Sequence, residues 1–229
     1  MKKPKIFIAC DTNNIREAKR VIYLTKTNKL DVGYKFGLEF LFAKGGREFI
    51  SKVKNETIFV DTKISDISNT SSRAVKSLKD LKNINYLTVH TNAGEETLRS
   101  VVKMAKKTNK RLKILAVTIL TSISNSSLKK IGHTKSIKEL VKKQALLAKE
   151  CGCHGIICAG TDLKFVKKIF KGEIITPGIR LKGDIVGDQK RVVGPKEAFK
   201  NGSTALVMGR SIIKGNIKSN ISRLIKELS

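Results

Sequence analysis

Short apolar runs rich in β-branched residues alternate with helical stretches along the whole of this chain. Near-continuous apolar strands separated by helices are typical of a parallel sheet that is covered on both faces. The predicted strands are residues 6–10, 31–36, 57–63, 86–90, 113–118, 155–158, 174–176 and 205–208. The predicted helices between them include residues 15–27, 70–81, 95–108, 137–150 and 162–170.

The number of strand–helix units constrains the fold further. Eight units within 229 residues indicate a closed (β/α)8 barrel, the TIM-barrel architecture. We expect a single domain over residues 1–229, because no Pro/Gly/Ser-rich linker or low-complexity segment divides the chain. An open doubly wound sheet is the alternative that this pattern leaves open.

Polar or charged residues follow most of the predicted strands. Barrel enzymes gather their active sites at the carboxyl ends of the strands. Those ends carry Asp11, Lys35, Asp61 with Lys63, His90, Thr118 with Thr121, Thr176, and Gly209 with Arg210. Helix capping explains Thr and Asp at such positions, but it does not explain Lys35 and Lys63. The set therefore predicts a pocket.

The densest of these groups is the run Asp61-Thr62-Lys63-Ile64-Ser65-Asp66. Side chains alternate faces along a strand, so Asp61 and Lys63 are predicted to point the same way, with Asp66 in the turn beyond. An ammonium group between two carboxylates is costly to desolvate unless the charges pair tightly or take part in chemistry. A surface charge cluster is the alternative.

A phosphate site is predicted after the last two strands, where barrels commonly bind phosphate. Gly209 and Arg210 precede a helix, and glycine lets backbone N–H groups approach an anion at a helix start. The preceding loop, residues 177–191, is long and contains Arg180 and Gln189. Loops of this length are commonly lids, and we expect this one to close over a phosphorylated substrate.

The net charge of +28 raises the alternative of a nucleic acid-binding protein. The basic residues are mostly lysines scattered along predicted helices, aromatic residues make up 5% of the chain, and no stacking platform is evident. We therefore expect no nucleic acid partner, although this charge attracts anionic ligands in general.

Compartment and metal content follow from the termini and the cysteines. The apolar stretch after the basic start, residues 6–10, is too short for a signal peptide, and no run is long enough to span a membrane. We expect a cytoplasmic protein.

The cysteines Cys10, Cys151, Cys153 and Cys158 lack C-x-x-C spacing, so we expect no metal site.

Taken in order, the motifs resemble those of the orotidine 5′-phosphate decarboxylase family along essentially the whole chain. The matching segments are Ala9-Cys10-Asp11, Lys35-Phe36-Gly37, the run from Asp61 to Ile67, Val89-His90, Ala116 to Ser122, Thr176 to Arg180, Asp188 to Arg191, and Gly209-Arg210. The resemblance implies a (β/α)8 barrel that decarboxylates orotidine 5′-phosphate to UMP without a cofactor or metal. One departure is the stretch Cys158-Ala159-Gly160-Thr161, where many relatives have a Ser-Ala-x-Glu run.

The resemblance also implies roles for individual residues. Lys63 would be the proton donor, flanked by Asp61 and by Asp66 from the second subunit of a homodimer. Ile67 and Thr70 would likewise be contributed across the dimer interface. Lys35 would complete the alternating charge array and, with Asp11, contact the ribose. The remaining substrate contacts implied are Thr121 at the pyrimidine, Pro177, and Arg180, Gln189, Gly209 and Arg210 at the phosphate.

A rival within the same superfamily is a metal-dependent sugar-phosphate decarboxylase or synthase, which can also carry an Asp-x-Lys-x-x-Asp strand end. The second strand of those enzymes typically ends in Glu-x-Gly, whereas this chain has Lys35-Phe36-Gly37. A lysine at that position repels Mg²⁺, so the sequence favours the metal-free decarboxylase.

Overall fold

The computed structural model describes residues 3–184 and 191–229. Within them, parallel strands β1 to β8 form a closed barrel in chain order, with β8 hydrogen-bonded to β1. The strands are β1 Lys5–Ala9, β2 Asp31–Gly37, β3 Thr57–Ile64, β4 Ile84–His90, β5 Lys113–Val117, β6 Gly155–Ile157, β7 Glu173–Thr176 and β8 Ala205–Met208. The closed barrel confirms the predicted (β/α)8 fold and excludes the open sheet.

Helices surround the barrel. They are α1 Ile15–Leu24, α2 Leu38–Phe42, α3 Gly46–Lys52, α4 Ser68–Lys76, α5 Gly94–Thr108, α6 Asn125–Lys130, α7 Ile137–Glu150, α8 Leu163–Ile169, α9 Pro195–Asn201, α10 Arg210–Ile213 and α11 Ile217–Leu228. Short 3₁₀ turns occur at Ser77–Asp80, Thr91–Ala93 and Gly160–Asp162.

The predicted bounds of two helices were wrong. The helix predicted over residues 15–27 ends at Leu24, because Thr25 caps it through its backbone N–H and its hydroxyl, both donated to Val21 O. The helix predicted over residues 70–81 instead spans Ser68–Lys76 and then tightens into the 3₁₀ turn. The prediction for residues 137–150 was correct, and there Ser136 and Glu139 form a reciprocal capping box.

The strands bury side chains on both faces. Ile6 and Ile8 of β1 belong to the large core between the barrel and its helices, whereas Phe7 and Ala9 belong to a separate core inside the barrel. Phe7 meets Phe59 and Tyr86 edge-on within that inner core, with ring centroids 5.3 Å apart in each pair. The lower part of the barrel is therefore filled, and the described residues leave a cavity towards the carboxyl ends of the strands.

A polar cluster closes the opposite, amino-terminal end of the barrel. The Tyr86 hydroxyl accepts a hydrogen bond from Lys5 Nζ at 3.0 Å and donates one to Glu173 Oε2 at 2.9 Å. Lys113 forms an ion pair with the same glutamate. These contacts satisfy the polar end of a large aromatic side chain whose ring lies in the inner core.

Gly155 on β6 is required by the close approach of its neighbours. A Cβ atom there would lie 2.5 Å from Leu115 Cδ2 and 2.9 Å from Glu173 O. We predict that Gly155→Ala lowers the free energy of unfolding by about 1–3 kcal/mol, as overpacking of a core does. Gly194→Ala is the matched control, because nothing lies within 4 Å of its added methyl group. Urea unfolding of both variants checks this, and equal midpoints would contradict it.

Candidate active site

A cavity of about 230 Å³ opens at the carboxyl ends of the strands, above the inner core. Its floor is apolar and consists of inner-core side chains: Phe59, Val117, Ile157 and Val207. Its charged side consists of Lys35, Asp61 and Lys63. Its remaining wall comes from the loops after β5, β6 and β7: Ile119, Leu120, Thr121, Ser122, Cys158, Ala159 and Pro177. A small molecule entering here would meet charges on one side and apolar surface below.

The charged side is a linear array of alternating charges. Lys35 Nζ lies 3.1 Å from Asp11 Oδ1 and 3.3 Å from Asp61 Oδ2. Lys63 Nζ lies 2.9 Å from each carboxylate oxygen of Asp61. The side chains of Lys35 and Asp61 are only 10% and 9% exposed, whereas that of Lys63 is 38% exposed. The array therefore runs from solvent at Asp11, through a buried pair, to an ammonium group at the cavity.

The pairing keeps both buried groups ionised. Burial by itself would lower the pKa of Lys35, but the carboxylates of Asp61 and Asp11 outweigh this and leave its pKa above the ordinary value. Burial would likewise raise the pKa of Asp61, but the two lysines and the Thr88 hydroxyl leave it below the ordinary value. Opposite charges within a few ångströms have this effect because they favour the ionised form.

Lys63 reaches the array through an irregular strand rather than through simple alternation. Between the pairs Val60–Leu87 and Ile64–Val89, β3 advances by four residues while β4 advances by two. Lys63 lies in this bulge with a φ of +48°, in the left-handed region. Such a backbone costs about 1–3 kcal/mol at a non-glycine residue and is concentrated at functional sites. The predicted meeting of Lys63 and Asp61 is present, but by this different route.

Thr88 on β4 is a site residue that the sequence analysis missed. It is fully buried, and its hydroxyl lies 2.9 Å from both Asp61 Oδ1 and Lys63 N. In the sequence it is one polar residue within an apolar strand, where a threonine most often bonds to neighbouring backbone. Only the pairing of β3 with β4 brings it beside the charges.

Two glycines leave room for the array. A Cβ atom on Gly37 would lie 3.3 Å from Lys35 Nζ, and one on Gly209 would lie 3.5 Å from Asp11 Oδ2. A Cβ atom at position 37 would therefore be a tight contact for the Lys35 ammonium group, whereas one at position 209 would be in ordinary van der Waals contact with Asp11. The glycine of the Lys35-Phe36-Gly37 motif thus leaves space for the Lys35 ammonium group and the Asp11 carboxylate.

Asp66, Ile67 and Thr70 lie on the outer rim, where β3 leads into α4. All three are exposed, and Ile67 is 70% exposed. Within the described residues of this chain, no ion pair joins Asp66 to Lys63, and the Asp66 carboxylate accepts the N–H of Ile67 at 2.7 Å. The chain by itself therefore brings together Asp11, Lys35, Asp61 and Lys63 but leaves these three residues apart.

Two of the predicted phosphate residues, Arg180 and Arg210, line a second cavity, whereas Gly209 does not. They share it with Ser211, Lys214 and Arg223, and with Asp184, which forms an ion pair with Arg223 at 3.1 Å; the volume of the cavity is about 320 Å³. Thr121 and Pro177 line the first cavity. Gln189 lies outside the described residues. The grouping of cations makes this second cavity suited to an anion.

Arg191 was noted only as part of a motif, yet it joins several loops of the site. Its guanidinium donates to Asp162 Oδ2 at 2.6 Å, to Ile119 O at 2.9 Å and to Leu120 O at 3.2 Å. Burial raises the pKa of Asp162, and the guanidinium counteracts this. Arg191 thereby fixes the backbone just before Thr121, which forms part of the cavity wall.

We predict that Arg191→Met lowers the free energy of unfolding by about 3–5 kcal/mol, because it leaves a buried carboxylate unpaired. The double variant Arg191→Met/Asp162→Asn should recover part of that loss. Arg47→Met is the matched control: its ion pair with Asp80 is also 2.6 Å long, but its side chains are 43% and 57% exposed. Breaking that surface pair should cost no more than about 1 kcal/mol. Similar unfolding midpoints for the two single variants would refute the assignment.

The metal-ligating and nucleophilic side chains elsewhere in the described part of the chain do not form a second site. Among the described residues, no group of three or more His, Cys, Asp or Glu is arranged to hold a metal ion. The four cysteines are free and buried, and burial raises the pKa of the Cys10 thiol to about 12. Within the same residues, no helix combines the length and apolar character that crossing a membrane requires.

Comparison with known proteins agrees with this geometry. Residues 4–221 match the sequence model of the Orotidine 5′-phosphate decarboxylase / HUMPS family. The chain belongs to this family. The predicted family resemblance is thereby confirmed over nearly the full length.

Curated relatives and solved structures support the same assignment. An orotidine 5′-phosphate decarboxylase of Wolbachia sp. subsp. Brugia malayi (strain TRS) is 40% identical over 232 residues, which cover 98% of this chain and 99% of the relative. A protein of the same name from Buchnera aphidicola subsp. Acyrthosiphon pisum (strain Tuc7) is 38% identical over 213 residues, or 91% and 89% of the two chains. The crystal structure of the orotidine 5′-phosphate decarboxylase from Lactobacillus acidophilus superposes with a TM-score of 0.84 at 29% identity, covering 100% of both chains.

Proposed function

We propose that this chain converts orotidine 5′-phosphate to UMP and CO₂, the activity for which its curated relatives are named. The observation that carries the proposal is the Lys35–Asp61–Lys63 array beside an apolar cavity floor. Loss of CO₂ from carbon 6 of the pyrimidine leaves an electron pair in an orbital without an adjacent carbonyl to accept it. The reaction therefore requires a fixed positive charge at that carbon, in a site with little water.

Lys63 is the group proposed to supply that charge. The bond between carbon 6 and the carboxylate breaks, CO₂ departs, and the electron pair stays on carbon 6 beside the ammonium group. Lys63 then transfers a proton from Nζ to carbon 6, and solvent returns a proton to the amine. This lysine is the more exposed of the two in the array, and its Nζ lies on the cavity. No cofactor is needed in this scheme.

Asp61 and Lys35 prepare Lys63 for this role. Asp61 holds the Lys63 ammonium group through both of its oxygens, and Lys35 offsets the carboxylate charge from behind. Because the array is already assembled, little reorganisation is required as charge develops on the substrate. Asp11 and Lys35 lie near enough to one another to bind the same ribose hydroxyl groups.

The phosphate is proposed to lie in the second cavity, between Arg180 and Arg210 and against the backbone at Gly209, with Gln189 as a further contact. Thr121 and Pro177 would contact the pyrimidine in the first cavity. Binding of a group remote from the reacting carbon can contribute to the rate when it helps assemble the site. This arrangement suits a nucleoside monophosphate, with its base and its phosphate in separate cavities.

We also propose that the active form is a homodimer in which Asp66, Ile67 and Thr70 complete the partner's site. Asp66 and Ile67 are exposed on the rim, and the exposed side chains of Leu38 and Phe42 add apolar surface, 47% and 83% exposed respectively. Exposed apolar side chains mark an interface when they form a contiguous patch, and the proposed dimer contact would cover these three. A second carboxylate near Lys63 would extend the alternating array of Asp11, Lys35, Asp61 and Lys63 to five groups.

We predict that the purified protein consumes orotidine 5′-phosphate, measured by ultraviolet absorbance, and that EDTA does not inhibit it. Inhibition by EDTA that Mg²⁺ reverses would favour the metal-dependent sugar-phosphate enzymes.

Lys63→Ala should lower kcat by about ten-thousandfold or more, because it removes both the charge and the proton donor. Lys113→Ala is the control, since that lysine forms its ion pair at the opposite end of the barrel. Near-normal turnover by Lys63→Ala would refute the mechanism.

Shared sites can be tested by mixing inactive variants. We predict that Asp66→Ala and Lys63→Ala subunits, each nearly inactive, regain activity when they exchange. A hybrid dimer has one site with both native residues, so recovery should approach about one quarter of the native rate after random exchange, as mass action on two subunit types requires. Absence of recovery, with exchange verified by mass spectrometry of the intact dimer, would exclude the contribution of Asp66 in trans.

A further inference from the structure

We propose that Thr88 is a positioning residue for the decarboxylation, holding the Asp61 carboxylate and the backbone of Lys63 in their working arrangement. This inference rests on the proposed function for its kinetic consequences. Its structural basis is independent of that function. The threonine touches neither cavity but bonds directly to both charged residues.

The direction of each hydrogen bond is fixed by chemistry. The backbone N–H of Lys63 can only donate, so it donates to Thr88 Oγ1 at 2.9 Å. An ionised carboxylate can only accept, so the Thr88 hydroxyl must donate its proton to Asp61 Oδ1, also at 2.9 Å. One hydroxyl therefore links the two residues: it accepts from the main chain of Lys63 and donates to the side chain of Asp61.

Thr88 also completes the set of groups that surround Asp61. Oδ1 receives Lys63 Nζ and the threonine hydroxyl, while Oδ2 receives Lys63 Nζ and Lys35 Nζ. A carboxylate has about four acceptor positions, and all of them are engaged here. Removing the hydroxyl would free one position and allow the carboxylate to rotate relative to the Lys63 ammonium group.

The second effect of Thr88 is on the bulge of β3. Its backbone carbonyl accepts the hydroxyl of Thr62 at 3.2 Å, and its side chain accepts the N–H of Lys63. Both bonds fall where β3 carries two more residues than β4. Lys63 has a left-handed backbone at this point, which an L-amino acid adopts only when surrounding contacts impose it. Thr88 supplies those contacts from a fully buried position.

The test compares three variants. Thr88→Val keeps the shape but removes both hydrogen bonds, and we expect kcat to fall by about ten- to a hundredfold while KM changes little, because no substrate contact is lost. Thr88→Ser restores the hydroxyl and should return kcat to within about threefold of the native value. Thr25→Val is the control, since it removes another fully buried threonine hydroxyl, which bonds to Val21 O and the Tyr34 hydroxyl. That variant should leave kcat unchanged.

A measurement without substrate separates this proposal from the proposed function. The backbone chemical shifts of Lys63 report its φ, and in Thr88→Val they should move from left-handed towards extended values, with Thr88→Ser and Thr25→Val unchanged. Unaltered Lys63 shifts in Thr88→Val would overturn the positioning role, as would native kcat in a folded variant. If the native protein fails to turn over orotidine 5′-phosphate, the proposed function falls, and the shift measurement still decides whether Thr88 positions Lys63.

Discussion

The placement of one carboxylate between two ammonium groups is the interaction on which the candidate site depends. Lys35 and Asp61 are both buried, and neither charge would be tolerated there without the other. Removing Asp61 would leave two cations facing each other across the barrel mouth. Removing Lys35 would leave Asp61 balanced only by the more exposed Lys63. The array is therefore a single unit in which each charge depends on its neighbours.

The apolar floor gives those charges their effect. Phe59, Val117, Ile157 and Val207 belong both to the inner core and to the cavity surface, so the same packing that fills the barrel also excludes water beneath the array. Charges act more strongly on a ligand in such a site than in bulk water. The net charge of +28 works over a longer range and assists the approach of any anion.

The sequence was sufficient for the features that depend on local pattern. Short apolar runs alternating with helical patterns located every strand to within two residues, and the barrel rule then placed Lys35 and Asp61 at one mouth. Strand alternation could not reveal the bulge at Lys63, because it arises from a mismatch between β3 and β4, not from either strand alone. The contacts of Thr88 and the Arg191–Asp162 pair were not predicted for the same reason: the bonded residues lie 25 to 29 positions apart along the chain. Contacts of that kind have no local signature.

The backbone conformation of Lys63 indicates that function, not stability, determined which residue stands at this position. A φ of +48° is adopted readily by glycine and tolerated by asparagine, whereas lysine gains nothing from it in stability. If stability were the only constraint, β3 would continue in register or carry a glycine in the bulge. The chain instead keeps a lysine there, and supports it with a bidentate carboxylate and a buried threonine hydroxyl. These specific contacts hold the strained backbone in place. The strain is explained by the position that it gives the Lys63 ammonium group at the cavity, and thus by what that group does to a bound molecule.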